Sequence, residues 1–252
     1  MMIVSRLMSF IRSWFVVRHT APVETRFVDC RGREAYLVGH LPGAAHADPE
    51  RDLTGTDGGG RHPLPTAAAF AEWAGGAGID ATTLVVAYDA GTGWAARLWW
   101  LLRHFGHDDA AVLALDCWRG RLRTGSETIE PAQFVARPRT DDTASAEELL
   151  ARLGAPGLVV LDARAPERYR GEVEPLDRIA GRIPGARNLP FQEAAALTPE
   201  LLEADELVVY CGSGVTACVD VLALTLAGRD DVRLYPGSWS EWSELGHPVE
   251  RG

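Results

Sequence analysis

The chain has 252 residues, 46% of them hydrophobic and 24% charged, which is enough to bury a sizeable core but long for a single one, so two domains are expected. A net charge of -10 argues against nucleic acid as a partner, because that affinity is carried by cations that displace phosphate counterions. All 25 basic residues are arginine, which excludes Schiff-base chemistry and leaves guanidinium as the cation for any anion.

Four cysteines, Cys30, Cys117, Cys211 and Cys218, form neither a CxxC pair nor a dense framework, and are expected as reduced thiols in a cytoplasmic protein. Cysteine and histidine are not clustered at metal-ligand spacing, and no cofactor or metal is expected. Residues 1–17 are predicted to form a short amphipathic helix with Ser5 as a cap. They do not read as a signal peptide, because Arg6 and Arg12 interrupt the apolar run. No stretch approaches the ~20 apolar residues of a membrane span, so no membrane partner is expected.

Along the chain, a strand through Phe27 and Val28 ends at Asp29 and leads to Pro42-Gly43. A strand over 84–88 then ends at Asp89, and a helix over 95–102 and a strand over 111–115 follow. The same order returns: a strand ending at Asp162, Pro184-Gly185, a strand over 207–210 ending at Cys211, a helix over 216–224, and a strand over 232–235. This duplication predicts an α/β fold made twice, each half a mostly parallel sheet flanked by helices. The expected domains are 1–125 and 144–252, joined by a linker over 126–143 rich in Gly, Pro, Ser, Thr and Asp. The stretch from Gly43 to Asp89 is about twenty residues longer than that from Gly185 to Cys211, so the first half carries an insertion; it holds Glu50, Gly58-Gly59-Gly60, Arg61 and His62.

In Cys211-Gly212-Ser213-Gly214-Val215-Thr216, small residues between a buried strand and a helix let successive backbone N–H groups point inward, a concavity that favours an anion. A cysteine there, at the carboxyl end of a parallel strand, is placed as a thiolate nucleophile. Cys218, one helical turn on, is expected to pack, and Cys30 and Cys117 are expected to be structural or incidental.

The duplicated pattern resembles the tandem rhodanese family over nearly the whole chain. The segment 211–218, with Gly237-Ser238-Trp239 and Glu241-Trp242, is similar to its 3-mercaptopyruvate sulfurtransferase branch. The resemblance implies two rhodanese-like domains, the first without a catalytic cysteine because Asp89 stands at the matching place. It also implies a persulfide on Cys211 that passes its outer sulfur to cyanide, a small thiol or a thioredoxin-like dithiol protein. Gly212, Gly214, Val215 and Thr216 supply the backbone cradle. Arg168 matches the arginine that binds the donor's carboxylate; the second such arginine is Arg178, with Arg182 the alternative. Ser213, His62 and Glu50 match a proton relay to the departing enolate, with Asp48 as the alternative acid. The neutral Gly212 and Ser213 stand where the thiosulfate branch has basic residues, which favours an organic monocarboxylate donor. The alternatives are thiosulfate:cyanide sulfur transfer and a non-enzymatic sulfur carrier. A cysteine phosphatase of related fold is disfavoured by the lack of an arginine in 212–217.

Overall fold

The structure, a computed structural model, describes residues 24–252. The helix predicted over 1–17 lies outside them. The described chain divides into two packed units. The first runs up to Leu53 and resumes over Pro65–Arg139; the second comprises Thr54–Leu64 and Thr140–Gly252. The eleven-residue excursion 54–64 thus belongs structurally to the second unit.

The first unit holds β1 (Thr25–Asp29), α1 (Arg33–Val38), β2 (Ala45–His46), α2 (Ala67–Gly76), β3 (Leu84–Asp89), α3 (Trp94–His104) and β4 (Ala110–Ala114). The strands are all parallel in the order β2-β1-β3-β4. β3 is central and reads as an unbroken apolar run, Leu84-Val85-Val86-Ala87-Tyr88, because helices cover both faces of a parallel sheet. α2 begins where Thr66 Oγ1 accepts the Ala69 N–H at 3.2 Å. Residues 126–139 have no regular structure but are tied to this unit: Ala132 N–H donates to Gly75 O, and Arg137 N–H to Phe105 O, each at 2.9 Å.

The second unit repeats the plan with α4 (Ala146–Ala151), β5 (Leu158–Asp162), α5 (Pro166–Tyr169), β6 (Arg187–Asn188), α6 (Pro199–Leu202), β7 (Glu206–Tyr210), α7 (Ala217–Leu226), β8 (Arg233–Leu234) and α8 (Ser238–Glu244). Its strands are parallel in the order β6-β5-β7-β8. Trp239 and Trp242 of α8 are fully buried beside Tyr210 and Tyr235.

The repeat extends to individual side-chain bonds. Arg31 pairs with Asp29 in one unit and Arg164 with Asp162 in the other, both at 2.6 Å. The Tyr88 hydroxyl accepts the Leu41 N–H at 3.0 Å, and the Tyr210 hydroxyl accepts the Ile183 N–H at 3.1 Å. Each tyrosine thereby ties the strand before the site loop to the turn through Pro-Gly.

The Asp162–Arg164 pair is almost wholly buried. Arg164→Leu strands the Asp162 carboxylate and is expected to cost about 3–5 kcal/mol. Arg170→Leu, which breaks an exposed pair with Glu172, is expected to leave stability nearly unchanged. Urea denaturation midpoints of the two variants against the parent chain measure the difference.

Candidate active site

Cys211 emerges at the carboxyl end of central strand β7, where open parallel sheets place their ligands. The turn that opens α8 grips its backbone. The Cys211 N–H donates to Ser238 Oγ at 3.1 Å, while the N–H groups of Trp239 and Ser240 donate to the carbonyls of Cys211 and Gly212, each at 3.0 Å. The Ser238 hydroxyl in turn donates to Tyr235 O at 2.9 Å. Among the described residues Ser238 is the one non-glycine residue in the left-handed region, with φ of 56°. Such strain persists where surrounding bonds over-determine it. Gly214, with φ of 76°, lies so close to the Pro236 carbonyl that a side chain has no room.

The loop turns inward onto the sulfur. Gly214 N–H donates to Cys211 Sγ at 3.1 Å, and among the described loop amides it is the one so bonded to Sγ. The Cys218 thiol donates to Gly214 O at 3.3 Å and is buried, so it braces the loop as packing. The first unit offers a control. At the same fold position Asp89 Oδ1 accepts Gly91 N–H at 2.8 Å, while its Oδ2 accepts Ala95 N–H at 3.2 Å and the Thr92 hydroxyl at 2.9 Å. In both copies the strand-to-helix loop turns backbone N–H groups onto the side chain at this position.

Ser213 and His62 are brought together: Ser213 Oγ and His62 Nδ1 are hydrogen-bonded at 2.7 Å. His62 arrives on the excursion Thr54–Leu64. That segment docks through Arg61 N–H to Ser240 Oγ at 3.1 Å and through Gly60, where an added Cβ would lie 2.5 Å from Gly237 O. Glu50 and Asp48 belong to the first unit, where Asp48 Oδ1 accepts the Glu50 N–H at 3.2 Å.

Of the expected arginines, Arg168 is at the loop. A Cβ built on Gly212 would lie 3.4 Å from both terminal nitrogens of Arg168, and 2.8 Å from Nη2 of Arg61, which the sequence reading did not single out. Arg168 Nη2 is bonded to Glu174 Oε1 at 2.7 Å and lies 3.4 Å from Asp177 Oδ2; Arg61 Nη1 pairs with Asp177 Oδ1. Burial works against the Glu174 charge, but hydrogen bonds from Arg168 and from the N–H groups of Leu176 and Asp177 prevail and hold its carboxyl below the usual range. For Asp177, burial and then the neighbouring Glu174 charge outweigh Arg61 and Arg168, and its carboxyl is pushed up.

Arg178 is exposed and stands apart from these contacts. Arg182 is engaged elsewhere. Its guanidinium covers the Tyr169 ring at 4.4 Å, pairs with Glu250 and donates to Gly252 O at 2.8 Å. It is the counterpart of His40, which stacks on Tyr36 at 4.1 Å and approaches Glu127 at 3.4 Å in the first unit. Arg182 therefore braces the C-terminal segment through ring stacking, one ion pair and a bond to a backbone carbonyl. Among the described residues no group of three or more His, Cys, Asp or Glu is placed to hold a metal ion, and no helix is long and apolar enough to cross a membrane.

A family model described as a rhodanese-like domain matches the chain twice, over residues 17–116 and 145–245. A Pseudomonas aeruginosa protein named "Probable 3-mercaptopyruvate sulfurtransferase" is 42% identical over 260 residues, covering 89% of this chain and 92% of its own. A Rattus norvegicus thiosulfate sulfurtransferase is 34% identical over 250 residues, covering 88% and 83%. The crystal structure of SseA from Escherichia coli, reported for the rhodanese fold and mechanism of 3-mercaptopyruvate sulfotransferases, superposes with a TM-score of 0.74. It is 30% identical and covers 91% of this chain and 97% of its own.

One further acid near the sulfur lay unremarked in an apolar helical run. Asp220 of α7 is fully buried, and neither carboxylate oxygen has a hydrogen-bond partner. Burial foremost, then the charges of Cys211 and Asp162, pushes its carboxyl well above the ordinary range. The folded protein thus holds a proton that the unfolded chain releases once pH exceeds the ordinary aspartate value, and stability falls as pH rises from there towards the folded value. In Asp220→Asn this dependence is removed. Melting temperatures at pH 4 and pH 7.5 should show the variant gaining on the parent as pH rises, at up to about 1.4 kcal/mol per pH unit. Parallel pH dependences would contradict this assignment.

Proposed function

This chain belongs to the rhodanese family of sulfurtransferases, and from that premise we propose that its donor is 3-mercaptopyruvate, with Cys211 the residue that carries the sulfur. The observation that carries this reading is the grouping at one loop of a cysteine sulfur held by a backbone amide, a Ser–His pair and guanidinium groups over Gly212.

In the first half-reaction the Cys211 thiolate attacks the donor's sulfur. A sulfur–sulfur bond forms, the carbon–sulfur bond breaks, and its electron pair leaves on carbon as the enolate of pyruvate. Ser213, backed by His62, delivers a proton to that carbon, and the amide of Gly214 favours the anionic sulfur throughout. Glu50, the acid expected behind His62, enters this scheme on the resemblance alone. In the second half-reaction a thiolate or cyanide attacks the outer sulfur, carries it away and restores the Cys211 thiolate. A dithiol protein of the thioredoxin type fits that acceptor role, and a reducing cytoplasm fits cysteines that are present as thiols.

Arg168 supplies a planar guanidinium for the donor's carboxylate. The side chains at 212 and 213 add no positive charge for an inorganic dianion, which supports mercaptopyruvate over thiosulfate.

Mass spectrometry after incubation with mercaptopyruvate should show one added sulfur (~32 Da), absent in Cys211→Ser. Pyruvate release that stops at one equivalent despite abundant thiol would instead mark a sulfur carrier. His62→Ala and Ser213→Ala are each expected to lower kcat by about 10²-fold or more, as loss of a positioned proton donor does. Unchanged kcat in both would remove the proton relay from the scheme.

A further inference from the structure

We propose that Arg61 is the second arm of the donor-carboxylate clamp and that Asp177 is a resident carboxylate which the donor displaces, an assignment that rests on the mercaptopyruvate reading above.

Geometry at Gly212 is the starting point. The residue after the nucleophile has two guanidinium groups over it: Arg61 Nη2 lies 2.8 Å and the Arg168 terminal nitrogens 3.4 Å from where its Cβ would stand. A donor whose sulfur lies against Cys211 has its carboxylate only a few bonds away, within reach of both. Arg61 is fixed there by its backbone, since its N–H donates to Ser240 Oγ on the same α8 turn that grips Cys211. Neither Arg178 nor Arg182 has such a position.

The clamp is already bridged by a carboxylate of the chain. One oxygen of Asp177 faces Arg61 and the other faces Arg168, so a single carboxylate spans both cations as an incoming one would. Glu174, by contrast, is anchored at several points: Arg168 Nε at 3.3 Å and Nη2 at 2.7 Å, Arg164 Nη1 at 3.3 Å, and two backbone N–H groups. Of the two acids, Asp177 has the fewer bonds and the less favourable charge environment. It sits in a stretch without regular structure, between exposed Leu176 and exposed Arg178.

Charge balance follows from these pairings. With Asp177 in place, two guanidinium groups face two carboxylates. With Asp177 displaced and Glu174 retained, one positive charge remains, which a monocarboxylate neutralises and a dianion overshoots. Asp177 thereby sets both the affinity for the donor and part of the preference among donors.

Pyruvate, which carries the carboxylate without the sulfur, serves as a probe. In the full-length protein it should protect Cys211 from alkylation by iodoacetamide, an uncharged reagent. Arg61→Gln should weaken that protection and raise KM for mercaptopyruvate by about tenfold or more with kcat within about threefold, while Arg61→Lys recovers part of the loss. Asp177→Asn should act oppositely, tightening pyruvate protection and lowering KM by about three- to tenfold. Unchanged protection and KM in Arg61→Gln would overturn the clamp. An Asp177→Asn variant that loses protection would show that Asp177 positions the arginines and would overturn displacement. If the parent chain forms no persulfide from mercaptopyruvate, the donor reading itself fails. If it does and the Arg61 variants are silent, only this inference fails.

Discussion

The position of the reactive sulfur depends on a backbone grip: the opening turn of α8, Ser238-Trp239-Ser240, holds Cys211 and Gly212 by three hydrogen bonds. Each contributes only about 0.5–1.5 kcal/mol net, but a buried amide or carbonyl left without a partner costs more, so the arrangement is hard to relax piecemeal. It also sustains the left-handed conformation of Ser238, a strain of about 1–3 kcal/mol. The turn in turn is anchored by two fully buried indoles. Trp239 donates to Ile179 O and Trp242 to Pro248 O, each at 2.8 Å, and the Arg164 guanidinium lies over the Trp239 ring at 4.7 Å. The buried Asp162–Arg164 pair is thus joined to the site through Trp239.

Duplication shows what the loop itself can do. In the first unit a carboxylate at the end of the central strand accepts two amides and a hydroxyl; in the second a sulfur stands there and takes one amide. In the first loop the bonds are made within the loop itself, as in a structural cap. The second keeps capacity for a ligand, and the side chains that gather over it, Ser213, His62, Arg168 and Arg61, have polar groups to offer one.

Much of this was legible in the chain because it is written in local terms. Apolar strands ending in Asp or Cys, Pro-Gly turns and a Gly-rich loop before a helix specify the parallel sheets and the nucleophile's place, and the family resemblance singles out Arg168. What the sequence concealed depends on packing. Arg182 was the alternative second arginine for the donor's carboxylate, but its partners, Tyr169 and Glu250, lie 13 and 68 residues away. Arg61 looked like a loop arginine in an insertion, because nothing local indicates that residues 54–64 pack with the second unit rather than the first. Asp220 was invisible for the opposite reason: a lone acid in an apolar helix reads as a solvated face until the helix is seen to be buried all round.

The bonds that fix Cys211 have a further consequence for how the protein meets its surroundings. The three backbone bonds from the α8 turn are made by amides, a hydroxyl and carbonyls, none of which carries net charge, whereas the groups over Gly212 are guanidinium paired with carboxylate. Mobile ions weaken forces between exposed charges beyond about 8 Å at physiological ionic strength and leave short neutral hydrogen bonds almost untouched. Salt therefore acts on the encounter with a charged donor, while the backbone frame that positions the sulfur is left almost unchanged by it.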